Sequence, residues 1–129
     1  MTAHIVKDYM TKFPHTIGVN QRLPKAKEMM REFDVRHLPV LEAGQLVGII
    51  SDRDVNFAES IPSVDTEKLA IEEVYTPDPY QVAADANLIE VCQNMIDKKI
   101  GCALITEQGN LMGIFTWIDA LKAFVKLNS

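Results

Sequence analysis

The chain repeats itself. Sliding the sequence along itself by 65 residues pairs Thr11 with Thr76, Pro14 with Pro79, Leu23 with Leu88, Met30 with Met95, Glu42 with Glu107 and Gly44 with Gly109. The same offset pairs Leu46 with Leu111, Gly48 with Gly113, Ile49 with Ile114, Asp54 with Asp119 and Ala58 with Ala123. These are 11 identities over the 50 pairs that begin at Thr11 and end at Ser60, where average residue usage yields about 3. A repeat of this length that carries both helical and extended patterns predicts two copies of one supersecondary unit about a pseudo-twofold axis, not a long solenoid. The loop-like residues 59–67, with Ser60, Pro62, Ser63 and Asp65, mark the linker, so the copies divide as 1–62 and 63–129.

Apolar spacing assigns elements within each copy. Residues 5–11 form a short lead-in turn or helix that Phe13-Pro14 ends, because proline disfavours helix in the residue before it. Residues 16–19 are briefly extended. Leu23, Ala26, Met29, Met30 and Phe33 follow the i, i+3, i+4, i+7 rule and predict an amphipathic helix over 23–33, opened by Asn20 or Gln21 and closed by Asp34. Pro24 suits its first turn. A strand over 35–41, a turn at 42–44 and a strand over 45–50 make a hairpin, and Ser51 or Asp52 caps a helix to about Ala58. The second copy repeats this plan: lead-in 69–75, a break at Pro77-Asp78-Pro79, strand 80–82, helix 88–98, strands 102–106 and 111–115, and a helix over 117–126. Each copy therefore reads as β-α-β-β-α. One face of the last helix, through Ile118, Leu121, Ala123, Phe124 and Val125, is apolar and suits a partner surface.

Composition removes several classes of function. A formal charge of −5 over 129 residues argues against a protein that lives on nucleic acid, where clustered lysine and arginine supply the binding energy. No apolar window reaches the length of a membrane span, and the first residues lack the apolar core of a secretory signal, so a cytoplasmic protein is expected. Cys92 and Cys102 lie inside apolar patterns and read as buried, reduced thiols. His4, His15 and His37 lack metal-ligand spacing, so neither a metal site nor a catalytic set is assigned.

Both copies place glycine, apolar residues, a hydroxyl and an aspartate in one register: Gly48-Ile49-Ile50-Ser51-Asp52-Arg53-Asp54 and Gly113-Ile114-Phe115-Thr116-Trp117-Ile118-Asp119. A strand ending in Ser51 or Thr116 at a helix start offers exposed N–H groups and a hydroxyl, which favour phosphate. The carboxylate of Asp54 or Asp119, three residues on, repels phosphate but accepts from neutral hydroxyls, and a ribose diol is its natural partner. Arg36, His37 and Arg53 add cationic donors in the first copy only; the second has Gly101, Cys102 and Ile118 there. The same residues would also serve as plain helix caps.

The doubled motif resembles that of a CBS-domain pair, or Bateman module. The resemblance covers nearly the whole chain, through Met10-Thr11, residues 36–40 (Arg-His-Leu-Pro-Val) and 48–54 in the first copy, and Thr76-Pro77, residues 103–105 (Ala-Leu-Ile) and 113–119 in the second. It implies an α/β (α+β) fold of tandem β-α-β-β-α CBS repeats with two clefts between the sheets. It further implies binding of adenosine-containing ligands, AMP, ADP or ATP, with S-adenosylmethionine as a further candidate. By that resemblance Asp54 and Asp119 would take ribose hydroxyls, and Ser51 and Thr116 would lie beside phosphates. Thr16, Ile17 and Leu38, with Gln81, Val82 and Ala103, would line the adenine slots, and Pro39 joins them as a ligand-binding candidate.

The expected function is a stand-alone regulatory sensor that acts on an unidentified partner protein and self-associates as a homodimer. The copies predict unequal sites, with the charged nucleotide favouring the one around Asp54. Two other classes compete: a dimerising scaffold that binds no small molecule, and a small nucleotide-processing enzyme. Against the enzyme stand the lack of a nucleophile with a base, of paired carboxylates in both copies and of a glycine-rich phosphate loop.

Overall fold

The computed structural model describes residues 3–129. Its elements fall into two compact α+β units, each a four-stranded sheet with two helices. In chain order they are β1 (Thr11–Lys12), β2 (Ile17–Gly18), α1 (Leu23–Phe33), β3 (His37–Glu42), β4 (Gln45–Ser51), α2 (Asp52–Glu59), β5 (Thr76–Pro77), β6 (Gln81–Val82), α3 (Leu88–Lys98), β7 (Cys102–Glu107), β8 (Asn110–Thr116) and α4 (Trp117–Leu127). Single 3-10 turns fall at Val6–Asp8, Thr66–Lys68 and Ile71–Glu73.

The compact units do not follow the 1–62 and 63–129 division of the repeat. One spans His15–Pro79, and the other joins the segment ending at Pro14 to Tyr80–Ser129. We call them the Asp54 unit and the Asp119 unit. The cause is two short strands that the sequence pattern does not announce. β5 pairs antiparallel with β4, so the lead-in of the second copy completes the first copy's sheet, in the order β2-β3-β4-β5. β1 pairs antiparallel with β8, and the other sheet runs β1-β8-β7-β6. Two residues are too few for an alternating pattern to register.

Elsewhere local chemistry sets the elements. α1 and α3 occupy the predicted residues and bury Leu23 and Ala26, and Leu88, Val91 and Met95. α1 starts at Arg22 without a side-chain cap, not at Asn20 or Gln21, and Pro24 fills its first turn, where a missing N–H costs nothing. α3 has the stronger start, since the Asn87 side chain accepts from Glu90 N–H at 3.0 Å. Both helices end in a left-handed residue, Asp34 (φ 53°) and Lys99 (φ 56°), where the chain turns into the next strand. Each hairpin is closed by two residues at positive φ, Ala43-Gly44 and Gln108-Gly109, the geometry of a tight type I′ turn. β3 begins at His37, two residues later than expected. Cores form on each sheet: Ile17, Leu23, Leu38, Val40, Ile50 and Ile71 in the Asp54 unit, and Val6, Leu88, Val91, Ala103, Ile105 and Phe115 in the other.

Candidate functional site

In the Asp54 unit β2 and β3 run parallel and β4 runs back beside β3, so the start of β3 and the end of β4 meet. His37 stands opposite Ser51, and Asp52 N–H donates to the Arg36 carbonyl at 2.9 Å. Thr16 precedes Ile17, which pairs with Val40. Thr16, Arg36, His37, Ser51, Asp52, Arg53 and Asp54 therefore gather at one end of one sheet. The Asp119 unit repeats this end: Cys102 stands opposite Thr116, Trp117 N–H donates to the Gly101 carbonyl at 3.0 Å, and Val82 pairs with Ile105.

The two helix starts are reciprocal capping boxes. At α2, Asp54 N–H donates to Ser51 Oγ at 3.2 Å, while Ser51 N–H and Oγ–H donate to Asp54 Oδ2 at 2.9 and 3.1 Å. At α4, Asp119 N–H donates to Thr116 Oγ1 at 3.4 Å, while Thr116 N–H and Oγ1–H donate to Asp119 Oδ2 at 2.9 and 3.2 Å. Capping is thus one job of both aspartates. A carboxylate has about four acceptor positions, so each retains capacity at Oδ1.

The lead-in strands reach that second oxygen, a role for Thr11 and Thr76 that sequence reasoning missed. Thr11 Oγ1–H donates to Asp119 Oδ1 at 3.0 Å, and Asp119 is buried, 7% exposed. Thr76 Oγ1 lies 3.3 and 3.4 Å from the two oxygens of Asp54, which is only half-buried. The identity of Thr11 and Thr76 in the repeat was the available signal. The glycines of the motif make room for the same strands. A Cβ at Gly48 would stand 2.4 Å from the Thr76 carbonyl oxygen and the Tyr75 ring, and one at Gly113 would stand 2.5 Å from Met10 Sδ and 2.9 Å from the Thr11 carbonyl oxygen.

Charge separates the two ends. Arg36 and Asp52 form an exposed ion pair at 3.8 Å, and Arg53 is exposed on the first turn of α2. Burial holds the His37 imidazole below its ordinary range despite the raising fields of Asp52 and Asp54, and Arg36 lowers it further. His37 is therefore a neutral donor or acceptor at neutral pH, not the cation expected from sequence. In the Asp119 unit the matching place of Asp52 holds Trp117, 43% exposed. Burial pushes the Cys102 thiol up to about 12, so no reactive thiolate lies at that end.

The apolar candidates sit deeper. Leu38, Pro39, Ile17 and Ala103 are buried. Val82 is half-buried on its core. Among the described residues no three of His, Cys, Asp and Glu gather as metal ligands, and no helix is long and apolar enough to cross a membrane.

Two sheets, each with a strand–hydroxyl–helix junction, define a tandem α+β module, and the family follows from comparison. The CBS domain family model matches residues 6–60 and 71–126, so the chain belongs to the CBS domain family. It is 30% identical over 109 residues to the CBS domain-containing protein YhcV of Bacillus subtilis, covering 84% of this chain and 77% of that one. The fold is similar to the CBS domain pair of protein MJ0100 solved with 5′-methylthioadenosine and S-adenosyl-L-methionine (TM-score 0.88, 26% identity, covering 97% of this chain and 98% of that one). It is also similar to CBSX2 solved with AMP (TM-score 0.83, 25% identity, covering 98% and 99%).

Proposed function

We propose that this chain is a cytoplasmic regulatory module that binds an adenosine-containing ligand at its strand–helix junctions and modulates a partner protein, without catalysing a reaction. The reading rests on one observation: each junction sets helix N–H groups and a hydroxyl beside a carboxylate, the complement of phosphate next to a sugar diol. Related pairs that hold AMP, or 5′-methylthioadenosine with S-adenosyl-L-methionine, support the ligand class. The Asp54 junction is the better nucleotide site, because Asp54 Oδ1 is lightly engaged and Arg36 and Arg53 supply the phosphate-facing charge. Thr116 and Asp119 serve a weaker or less charged ligand. Self-association belongs to the same reading, since α4 exposes Leu121, Phe124 and Val125 along one face.

Titration calorimetry with adenosine, AMP, ATP and S-adenosylmethionine tests the ligand, with sedimentation velocity on the same samples reading the assembly. Asp54→Ala is expected to weaken AMP by about tenfold or more, the value of one hydrogen-bonded charged contact. Arg36→Ala should weaken AMP and ATP but leave adenosine unchanged. Equal losses in Asp54→Ala and Asp119→Ala would overturn the ranking of the sites, and a melting temperature indifferent to every adenosine compound would overturn the function, since a native-state ligand must stabilise.

A further inference from the structure

We propose that the lead-in threonines decide which of the two carboxylates can take a sugar diol, with Thr11 holding Asp119 shut and Thr76 leaving Asp54 open. The inference deepens the proposed function and rests on it. The capping bonds consume the same oxygen, Oδ2, in both junctions, so Oδ1 is what remains for a ligand hydroxyl. At Asp119 that oxygen already accepts Thr11 Oγ1–H at 3.0 Å, inside a residue that is 7% exposed. Thr11 takes one acceptor position of that oxygen, and with the residue so little exposed a sugar hydroxyl must displace Thr11 to reach it, an exchange of one hydrogen bond for another that gains little. At Asp54 the Thr76 hydroxyl is shared between both oxygens at 3.3 and 3.4 Å, longer than a good O–H···O bond, and the carboxylate is half-buried. There a diol adds hydrogen bonds that the free protein lacks.

Thr11 and Thr76 are positioning residues, because each acts through an aspartate, and both belong to strands seated in the spaces left by Gly113 and Gly48. Ligand choice at each junction is thereby written partly in the lead-in strand, outside the glycine-to-aspartate motif. The residues that make the junctions differ in charge, Arg36 and Arg53, do not act on this oxygen, so adenosine reads the effect free of phosphate.

The test is calorimetric titration of wild type, Thr11→Val, Thr11→Ser and Thr76→Val with adenosine, and with AMP and S-adenosylmethionine as further probes, with circular dichroism to establish that each variant is folded. Wild type should show one stronger site per chain. Thr11→Val, which removes the hydroxyl at nearly constant shape, should strengthen the second site by about tenfold, the worth of one competing hydrogen bond. Thr11→Ser restores the hydroxyl and should behave as wild type, which a purely structural role for the methyl group would not produce. Thr76→Val should move the first site by no more than about twofold. Adenosine binding by wild type with no change in a folded Thr11→Val overturns this inference alone. Absence of adenosine, AMP and S-adenosylmethionine binding in all four proteins overturns the function reading, and this inference with it.

Discussion

The junctions at Asp54 and Asp119 share a capping box, a glycine and a lead-in threonine, yet they are built for different burdens. The Asp119 carboxylate is buried, accepts from Thr11 at 3.0 Å and stands beside an exposed Trp117. The Asp54 carboxylate is half-buried, meets Thr76 only at 3.3 and 3.4 Å and is surrounded by Arg36, Asp52, Arg53 and a neutral His37. Duplication kept the geometry of the turn, while changes around it moved one copy toward structural closure and the other toward charged exposure. A shared motif therefore identifies a shared fold element before it identifies a shared ligand.

The comparison is most sharply strained at the glycines. Gly48→Ala drives a Cβ against the Thr76 carbonyl and the Tyr75 ring, and backbone cannot move aside as a side chain can. A loss of about 3 kcal/mol is expected, at the upper end of overpacking costs, with Gly113→Ala losing less because the nearest atom it meets is the flexible Met10 Sδ. Urea midpoints of the two variants measure this, and a larger loss at Gly113 would reverse the account of how the lead-in strands seat.

The carboxylates come next. Asp119→Asn weakens the capping bonds and the bond from Thr11 inside a buried site, and should cost about 2 kcal/mol. Asp54→Asn, more exposed and with a longer threonine contact, should cost about 1 kcal/mol. Equal midpoints in denaturant would erase the difference in burden between the junctions.

The smallest effect is the pH response of His37, which belongs to the Asp54 junction alone. Its folded-state pKa lies below the ordinary imidazole value of 6.5, so the unfolded chain takes up the proton first as pH falls. The contribution is present in full above 6.5 and is lost as pH drops through the folded value. Wild type should accordingly lose more stability between neutral pH and mildly acidic pH than His37→Asn does. Denaturant midpoints across that interval check the sign, and a steeper loss in the variant would contradict it.

Much of this architecture was legible because its causes are local. The 3.6-residue spacing of Leu23, Ala26, Met30 and Phe33 placed α1, and the repeat carried the same plan to α3, both at their observed bounds. Glycine at 44 and 109 placed the hairpins, and Ser51 with Asp54 and Thr116 with Asp119 placed the helix starts. The start of α1 was misread because polar residues nearby suggested a cap that Arg22 does not make. His37 was misread as a cation because its protonation depends on burial, which no residue type states. Leu38 and Ala103, which the resemblance assigns to a slot, have side chains in the cores, a placement that residue type alone does not announce.

The sequence by itself determined that the chain holds two copies of a β-α-β-β-α unit, where the helices and hairpins fall, and that each copy sets a hydroxyl and an acid at a helix mouth. Only the tertiary structure decided that β1 and β5 leave their own copy to complete the other's sheet, and that Thr11 and Thr76 thereby reach Asp119 and Asp54. The reason is physical: periodicity and capping act over a few residues, whereas the pairing of a two-residue strand is set by a partner about a hundred residues away for β1 and under thirty for β5, and by the space that one glycine leaves.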